Sequence, residues 1–381
     1  MLRSRGIRIG KLYGIPIFLH TSWFLIFALI VFSLANEFAS AHPQWTQAQH
    51  WGLGLVTALL FFGSVLFHEM SHSVVARHYH IPVVSITLFF FGGVAQISRD
   101  PDRALQEFNI AAAGPASSFL LAGLFYLGSL AVPYGSMAGA VTWWVAEINF
   151  VLAVFNLVPG FPMDGGRILR SIVWGWTKNY SKASLLSART GQVIAAGMIG
   201  LGAWEAVRAY QTPNGDIVNG VWLALIGWFL LSAAKQSYAQ AETRTALEGL
   251  LVSDIMTAEP PIVGREISLE DYAREVNKSR RTSHLVVAHG QLVGMISSDA
   301  LGRVPQEDWS VTSVQAAMMP RDKLLWAEPG ESALKLLDRM RSVGMQQMPV
   351  IADGSVVGMV TRESIVHALE RHNQMAHPTG A

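Results

Sequence analysis

His68, Glu69 and His72 stand in the stretch HEMSH, where residue type and spacing suit metal chemistry. On a helix, positions i and i+4 share one face a turn apart, so both imidazoles can hold one ion. The carboxylate beside the first can then reach water that the ion polarises. Random placement of the chain's 12 His and 27 acidic residues would give this pattern in under about 0.03 of chains of this length, so chance explains it poorly. The chain has no cysteine. Disulfides, thiolate ligands and a cysteine nucleophile are excluded, which leaves His, Asp and Glu as metal ligands.

A catalytic zinc takes three protein ligands and keeps one position open. The third candidate is Asp164, in NLVPGFPMDGGRILR. Pro159, Pro162, Gly165 and Gly166 around it stop the preceding helix from continuing. Two readings of Asp164 stand at this point: a metal ligand, or the N-cap of a helix that starts near Gly165.

The elements that must position these residues are membrane helices. The 381 residues are 51% hydrophobic and 14% charged, too apolar for an ordinary soluble protein. A net charge of +1 gives no argument for direct nucleic-acid binding. Apolar runs near 20 residues predict spans at Ile15 to Ala35, Leu53 to Val75, Ile110 to Val132, Met137 to Leu157, Ala188 to Val207 and Val218 to Ala234. The fifth is Gly- and Ala-rich with Arg189 and Glu205 near its ends, so four spans with two partly buried helices is the alternative. The first run is longer than a signal-peptide core, which argues against a cleaved leader despite Ala39-Ser40-Ala41.

Lys and Arg gather before the first span, between the second and third, between the fourth and fifth, and after the sixth. The positive-inside rule then puts both termini in the cytoplasm. The second and fourth spans both descend to that side, which brings His68, His72 and Asp164 to one depth. Ionisable groups there are costly unless paired or functional. Ser85 to Ser98, SITLFFFGGVAQIS, is too short to cross and predicts a membrane-associated β-hairpin turning at Gly92-Gly93.

HEMSH in an early span together with NLVPGFPMDGG after a later one resembles the site-2 protease family of intramembrane zinc metalloproteases. Asn156, Pro159, Pro162, Asp164 and Gly165 match every fixed position of the family's N-x-x-P-x-x-P-x-D-G motif. FFFGGVAQI resembles its membrane-inserted hairpin, and AAAGPASS its small-residue segment. The resemblance covers roughly Gly14 to Arg170. It implies one Zn2+ held by His68, His72 and Asp164, with Glu69 as general base and Asn156 steadying the substrate carbonyl. Packing between helices is the other reading of Asn156. Gly92 and Gly93 would offer a strand edge to an unwound substrate. Substrates of the family are single-span membrane proteins, such as membrane-tethered transcription regulators or anti-sigma factors.

After about Gln236 charges become frequent and the chain repeats itself. SHLVVAHGQLVGMISSDAL matches QMPVIADGSVVGMVTRESI at an offset of 64 residues, and VSDIMT is echoed by VQAAMM. These units resemble paired cystathionine-β-synthase (CBS) domains, which often bind adenosine nucleotides and can dimerise. Ser297 and Thr361 match the hydroxyl position of the nucleotide site. The usual acidic residue is replaced by Ala300 and Ser364, which weakens the case for a nucleotide.

The fold class expected is therefore a polytopic α-helical membrane protein of about six transmembrane helices with a short membrane-associated β-hairpin, followed by an α/β CBS pair. The domain boundaries expected are 1–240 for the membrane protease, 246–304 and 311–372 for the repeats, and 373–381 for a disordered tail. The chain would sit in a prokaryotic plasma membrane, within the lipid bilayer, and form a homodimer through its CBS domains. A CBS-gated metal-ion transporter is the alternative from another class; it would tolerate loss of Glu69, whereas a protease needs a base. A serine protease is weaker, because GPASS lacks an evident histidine partner. His20 is expected at the membrane interface, while His78, His80, His372 and His377 carry no assigned role.

Overall fold

The structure is a computed structural model that describes residues 6–90, 92–133, 135–212, 215, 217–279, 281–288, 291–361 and 363–368. The chain folds as two compact units, Met1–Ala241 and Glu242–Ala381.

The first unit opens on two strands, β1 (Gly6–Leu12) and β2 (Ile15–His20), followed by the helices α1 (Thr21–Ala41) and α2 (Gln47–His78). The run from Ile15 therefore does not begin as a helix. Residues Ile15, Ile17 and Leu19 are buried on alternate positions. A strand covered on one face and partly on the other reads as continuous apolar sequence, which is why a span starting at Ile15 is overturned in favour of one starting at Thr21. The switch falls at His20, whose Nδ1 accepts the Ser22 N–H at 3.2 Å and so caps α1. A capping box between Thr46 and Gln49 starts α2.

After α2 come β3 (Val83–Phe89) and β4 (Gly92–Ile97). The sheet order is β1-β2-β3-β4, with β2 and β3 parallel and the other pairs antiparallel. Phe89 pairs with Gly92 and Leu88 with Gly93. The hairpin thus does not turn at Gly92-Gly93: the two glycines are paired residues that open β4. Clusters of Ile15, Met70 and Ile86, and of Leu19, Val65 and Leu88, fasten this sheet to α2 at the level of HEMSH.

Then follow α3 (Ala104–Leu130), α4 (Met137–Asn156), α5 (Asp164–Thr177), α6 (Tyr180–Tyr210) and α7 (Val218–Leu247). Among the described residues α1, α2, α3, α4 and α7 are long and apolar enough to cross a membrane. The fifth expected span is a helix of 31 residues, α6, but its small and charged residues keep it outside that group.

The second unit contains α8 (Val252–Ile255), β5 (Ile262–Gly264), α9 (Leu269–Ser279), β6 (Ser283–Ala288), β7 (Gln291–Ser297), α10 (Val314–Ala317), β8 (Met319–Pro320), α11 (Ala333–Val343), β9 (Gln347–Ala352) and β10 (Ser355–Thr361). The sequence repeat is visible as two antiparallel hairpins, β6–β7 and β9–β10. Each hairpin receives a segment that precedes the other hairpin: Met295 pairs with Met319, and Thr257 bridges to Met359. A shared cluster of Leu285, Leu292, Leu324, Ile351 and Met359 joins the two copies. His372, His377 and the expected tail lie outside the described residues.

Candidate metal centre

One turn of α2 aims His68 and His72 at the start of α5. Both Nε2 atoms lie 3.1 Å from Oδ2 of Asp164, and both imidazoles are 4% exposed. Asp164 is the first helical residue of α5. The cap position belongs to Met163, and Asp164 makes no side-chain cap bond. Of the two readings of Asp164, the carboxylate facing the imidazoles is the one this geometry fits.

The outer nitrogens of the two rings have partners on α3. His72 Nδ1 lies 2.6 Å from the carbonyl oxygen of Ile110, and His68 Nδ1 lies 2.9 Å from Ser118 Oγ. A carbonyl only accepts, so Nδ1 of His72 carries the ring proton and Nε2 is left with a lone pair. Burial alone would raise the Asp164 carboxyl. The attraction of His72, with a proton shared between the carboxylate and the two imidazoles, outweighs burial and holds Asp164 well below the usual carboxylate range. The site therefore gathers an anionic oxygen and two imidazole nitrogens whose ligand atoms lie within 4.8 Å of one another. Without a cation, a proton must sit between these acceptors. A zinc ion fits the donor set, since two neutral imidazoles and one carboxylate are borderline and hard ligands of the type zinc accepts.

Space for the site depends on Gly114. A Cβ at that position would collide with Nε2 of both His68 and His72, so α3 can pass this closely only as bare backbone. The AAAGPASS stretch therefore has a physical reading beyond family resemblance: Gly114 clears the rings and Ser118 orients one of them.

Glu69 points to β4. Its Oε2 accepts the Ala95 N–H at 3.1 Å, and a Cβ at position 93 would lie 2.5 Å from Glu69 Cγ. Gly93 is thus the place where strand and carboxylate meet. Gly92 has φ +127, a conformation side chains disfavour. His68, Glu69, His72, Gly92, Gly93, Asn156 and Asp164 all line one cavity of about 420 Å³. Ile26, Phe62 and Val65 form apolar walls, and Arg167 is a further polar group there that spacing did not single out. Asn156 Nδ2 donates to the Leu152 carbonyl at 2.9 Å, leaving its second amide hydrogen for a ligand. The loop ahead of Asp164 holds a cis bond at Phe161-Pro162.

The site is braced by a buried ion pair that residue spacing does not reveal. Arg170 on α5 donates through Nε to Glu107 Oε1 on α3 at 2.7 Å, and its Nη2 engages the same oxygen. The Arg170 guanidinium lies over the rings of Phe161 and Tyr180.

Of the two residues matched to a nucleotide site, Thr361 borders a cleft of about 100 Å³ beside Arg281, Ser283 and Gln347, while Ser297 is not among its lining residues. Ligand sites are commonly 300–1,000 Å³ or so. Ser364, at the usual acidic position, is engaged with Thr361: its N–H donates to Thr361 Oγ1 and its hydroxyl to the Thr361 carbonyl.

The profile of peptidase family M50 matches residues 56–137 and 134–198, and that of the CBS domain matches 252–304 and 314–371. A Synechocystis sp. protein provisionally named a zinc metalloprotease is 33% identical over 372 residues, which is 96% of each chain. A Mycobacterium tuberculosis protein, provisionally named likewise, is 33% identical over 98% of this chain and 95% of its own. The solved site-2 protease from Methanocaldococcus jannaschii is 30% identical, covers 61% of this chain and 95% of that one, and superposes with a TM-score of 0.45.

Proposed function

The chain belongs to peptidase family M50 and is a zinc metalloprotease, and on that premise we propose that it hydrolyses peptide bonds in or near transmembrane helices of single-span membrane proteins. The observation that carries this reading is the convergence of His68, His72 and Asp164 beside Glu69 in a cavity walled by α1, α2 and β4. We assign His68, His72 and Asp164 as the zinc ligands. Bound there, the ion would supply a Lewis acid and water acidified toward neutrality.

Glu69 takes the proton of the attacking water and returns it to the leaving amine. The Ala95 N–H holds this carboxylate in place while β4 keeps its backbone clear. Asn156 offers its free amide hydrogen to the substrate carbonyl as negative charge develops on that oxygen. A substrate helix must unwind before its carbonyl is exposed. The outer edge of β4, which ends the sheet, can take up the unwound segment by strand addition, close to Gly92 and Gly93. A transported-ion site is disfavoured, because the relatives are peptidases and the base beside the ligands is superfluous to transport.

The expected topology, with both termini cytoplasmic and the site near that face, shortens the path for water. The repeats at 246–304 and 311–372 serve regulation or dimer formation in this scheme. The test is cleavage of a model transmembrane helix by the purified full-length chain, with zinc content measured beside it. Glu69→Gln should retain zinc and lose cleavage; cleavage that survives the substitution would refute the assignment.

A further inference from the structure

Glu147 lies on a face of α4 that the catalytic machinery does not use. The helix Met137–Asn156 has 20 residues, about 30 Å, which matches the hydrocarbon thickness of a bilayer. Glu147 is ten residues from its start and therefore near the midplane. It is exposed, and among the described residues no hydrogen bond or ion pair engages it. Asn149, Leu152 and Asn156 mark the opposite, inward face, toward Ser64 and the cavity. A lone carboxylate facing lipid at this depth is costly unless something pairs with it.

The surroundings indicate what that is. Glu147 lies in an outward groove of about 440 Å³ between α3 and α4, with Phe119, Tyr126, Trp143 and Phe150 as walls. The Tyr126 and Trp143 rings are 6.0 Å apart and the Phe119 and Phe150 rings 5.8 Å. A carboxylate between aromatic faces suits a cation by charge and by cation–π attraction. The groove shares no lining residue with the catalytic cavity.

We propose that this groove docks a membrane-spanning helix of another protein that carries a lysine or arginine at mid-depth. A second copy of the chain does not offer that charge. The spans α1, α3 and α4 contain no Lys or Arg, α2 has Arg77 only in its last turn, and α7 has Lys235 and Arg244 only in its second half. Arg189 on α6 is taken up by Tyr238, through its hydroxyl and its ring.

The test uses the full-length chain in phosphatidylcholine nanodiscs and labelled Leu–Ala spanning peptides with Lys, Leu or Glu at the centre, with binding read by energy transfer. The Lys peptide should bind at least about tenfold tighter than the Leu peptide. That preference should vanish in Glu147→Gln, shrink in Trp143→Ala and persist in Glu147→Asp. Zinc content and cleavage of a model substrate should be unchanged in Glu147→Gln. Equal binding of Lys and Leu peptides, or a preference that survives Glu147→Gln, would overturn the proposal. Self-association that depends on Glu147, without a peptide preference, would do so in favour of a second copy.

Discussion

Ser118 Oγ lies 2.9 Å from Nδ1 of His68, so a hydroxyl fifty positions along the chain orients one of the candidate ligand rings. The other ring is oriented by a main-chain carbonyl, which no substitution removes, and Ser118 is therefore the accessible handle. Partners of this kind fix ring tautomer and direction, and losing one typically lowers metal affinity about 10–100-fold. Ser118→Ala should weaken zinc binding by that factor, measured by competition with a chelator. An unchanged affinity would mean that α2 alone orients His68.

Gly114 offers a sharper steric case. Alanine there would drive a methyl group into both imidazoles, whereas Gly123 on the same helix has nothing within 4 Å of an added Cβ. Gly114→Ala is expected to abolish zinc binding while Gly123→Ala leaves it intact. The pair separates crowding of the site from a general effect of alanine on α3, and zinc stoichiometry of the two purified variants is the readout.

The candidate ligands were legible because they depend on short spacing: HEMSH is one helical turn, and Asp164 follows a helix-ending run of Pro and Gly. What positions them was not. Ser118 and the Ile110 carbonyl act across 50 and 38 positions, and a carbonyl has no side-chain signature. The same limit explains β2, whose apolar residues run straight into α1. It also explains the shifted hairpin turn, since a Gly-Gly pair marks an unusual backbone without saying whether it bends or makes way for Glu69. Repeats are read more easily, because two copies at one offset predict two equivalent hairpins before any contact is known.

Gly93 and Glu69 provide a test that leaves the candidate metal ligands alone. Gly93→Ala would force the Glu69 side chain off its bond with the Ala95 N–H, because Cγ cannot stay 2.5 Å from a new methyl. Zinc content should be normal and cleavage reduced about 10²-fold or more, the loss associated with a misplaced proton-transfer group. Normal cleavage would show that the base tolerates displacement.

In the second unit, His284 is 1% exposed, with its ring nitrogens 3.4 Å from the Tyr272 and Ser279 hydroxyls. Burial lowers its pKa, with Arg281 acting in the same sense and Glu275 opposing. Above the unfolded imidazole value of about 6.5 both states are neutral and the unit keeps its full stability. As pH falls below that value the unfolded chain takes up the proton first, and stability is lost toward the folded pKa. Protease cleavage within residues 242–368 of the full chain should therefore accelerate as pH falls below about 6.5. His284→Gln should flatten that dependence.

The pair Glu107–Arg170 ties α3, which carries the partners of both rings, to α5, which carries Asp164. Glu107 is fully buried, and its Oε2 has no partner among the described residues, so the carboxylate depends on Arg170 alone. Removing one member of a buried pair leaves the other charge uncompensated, at a cost of about 3–5 kcal/mol. Arg170→Met and Glu107→Gln should thus each lower the unfolding temperature in detergent, because the first strands the Glu107 carboxylate and the second the Arg170 guanidinium. The double variant should recover part of the loss. If the pair only stabilises the bundle, zinc affinity of the folded fraction will be normal in all three. If it sets the distance between α3 and α5, zinc affinity will fall even in the double variant, since neither substitution restores the link between Asp164 and the helix that orients the two imidazoles.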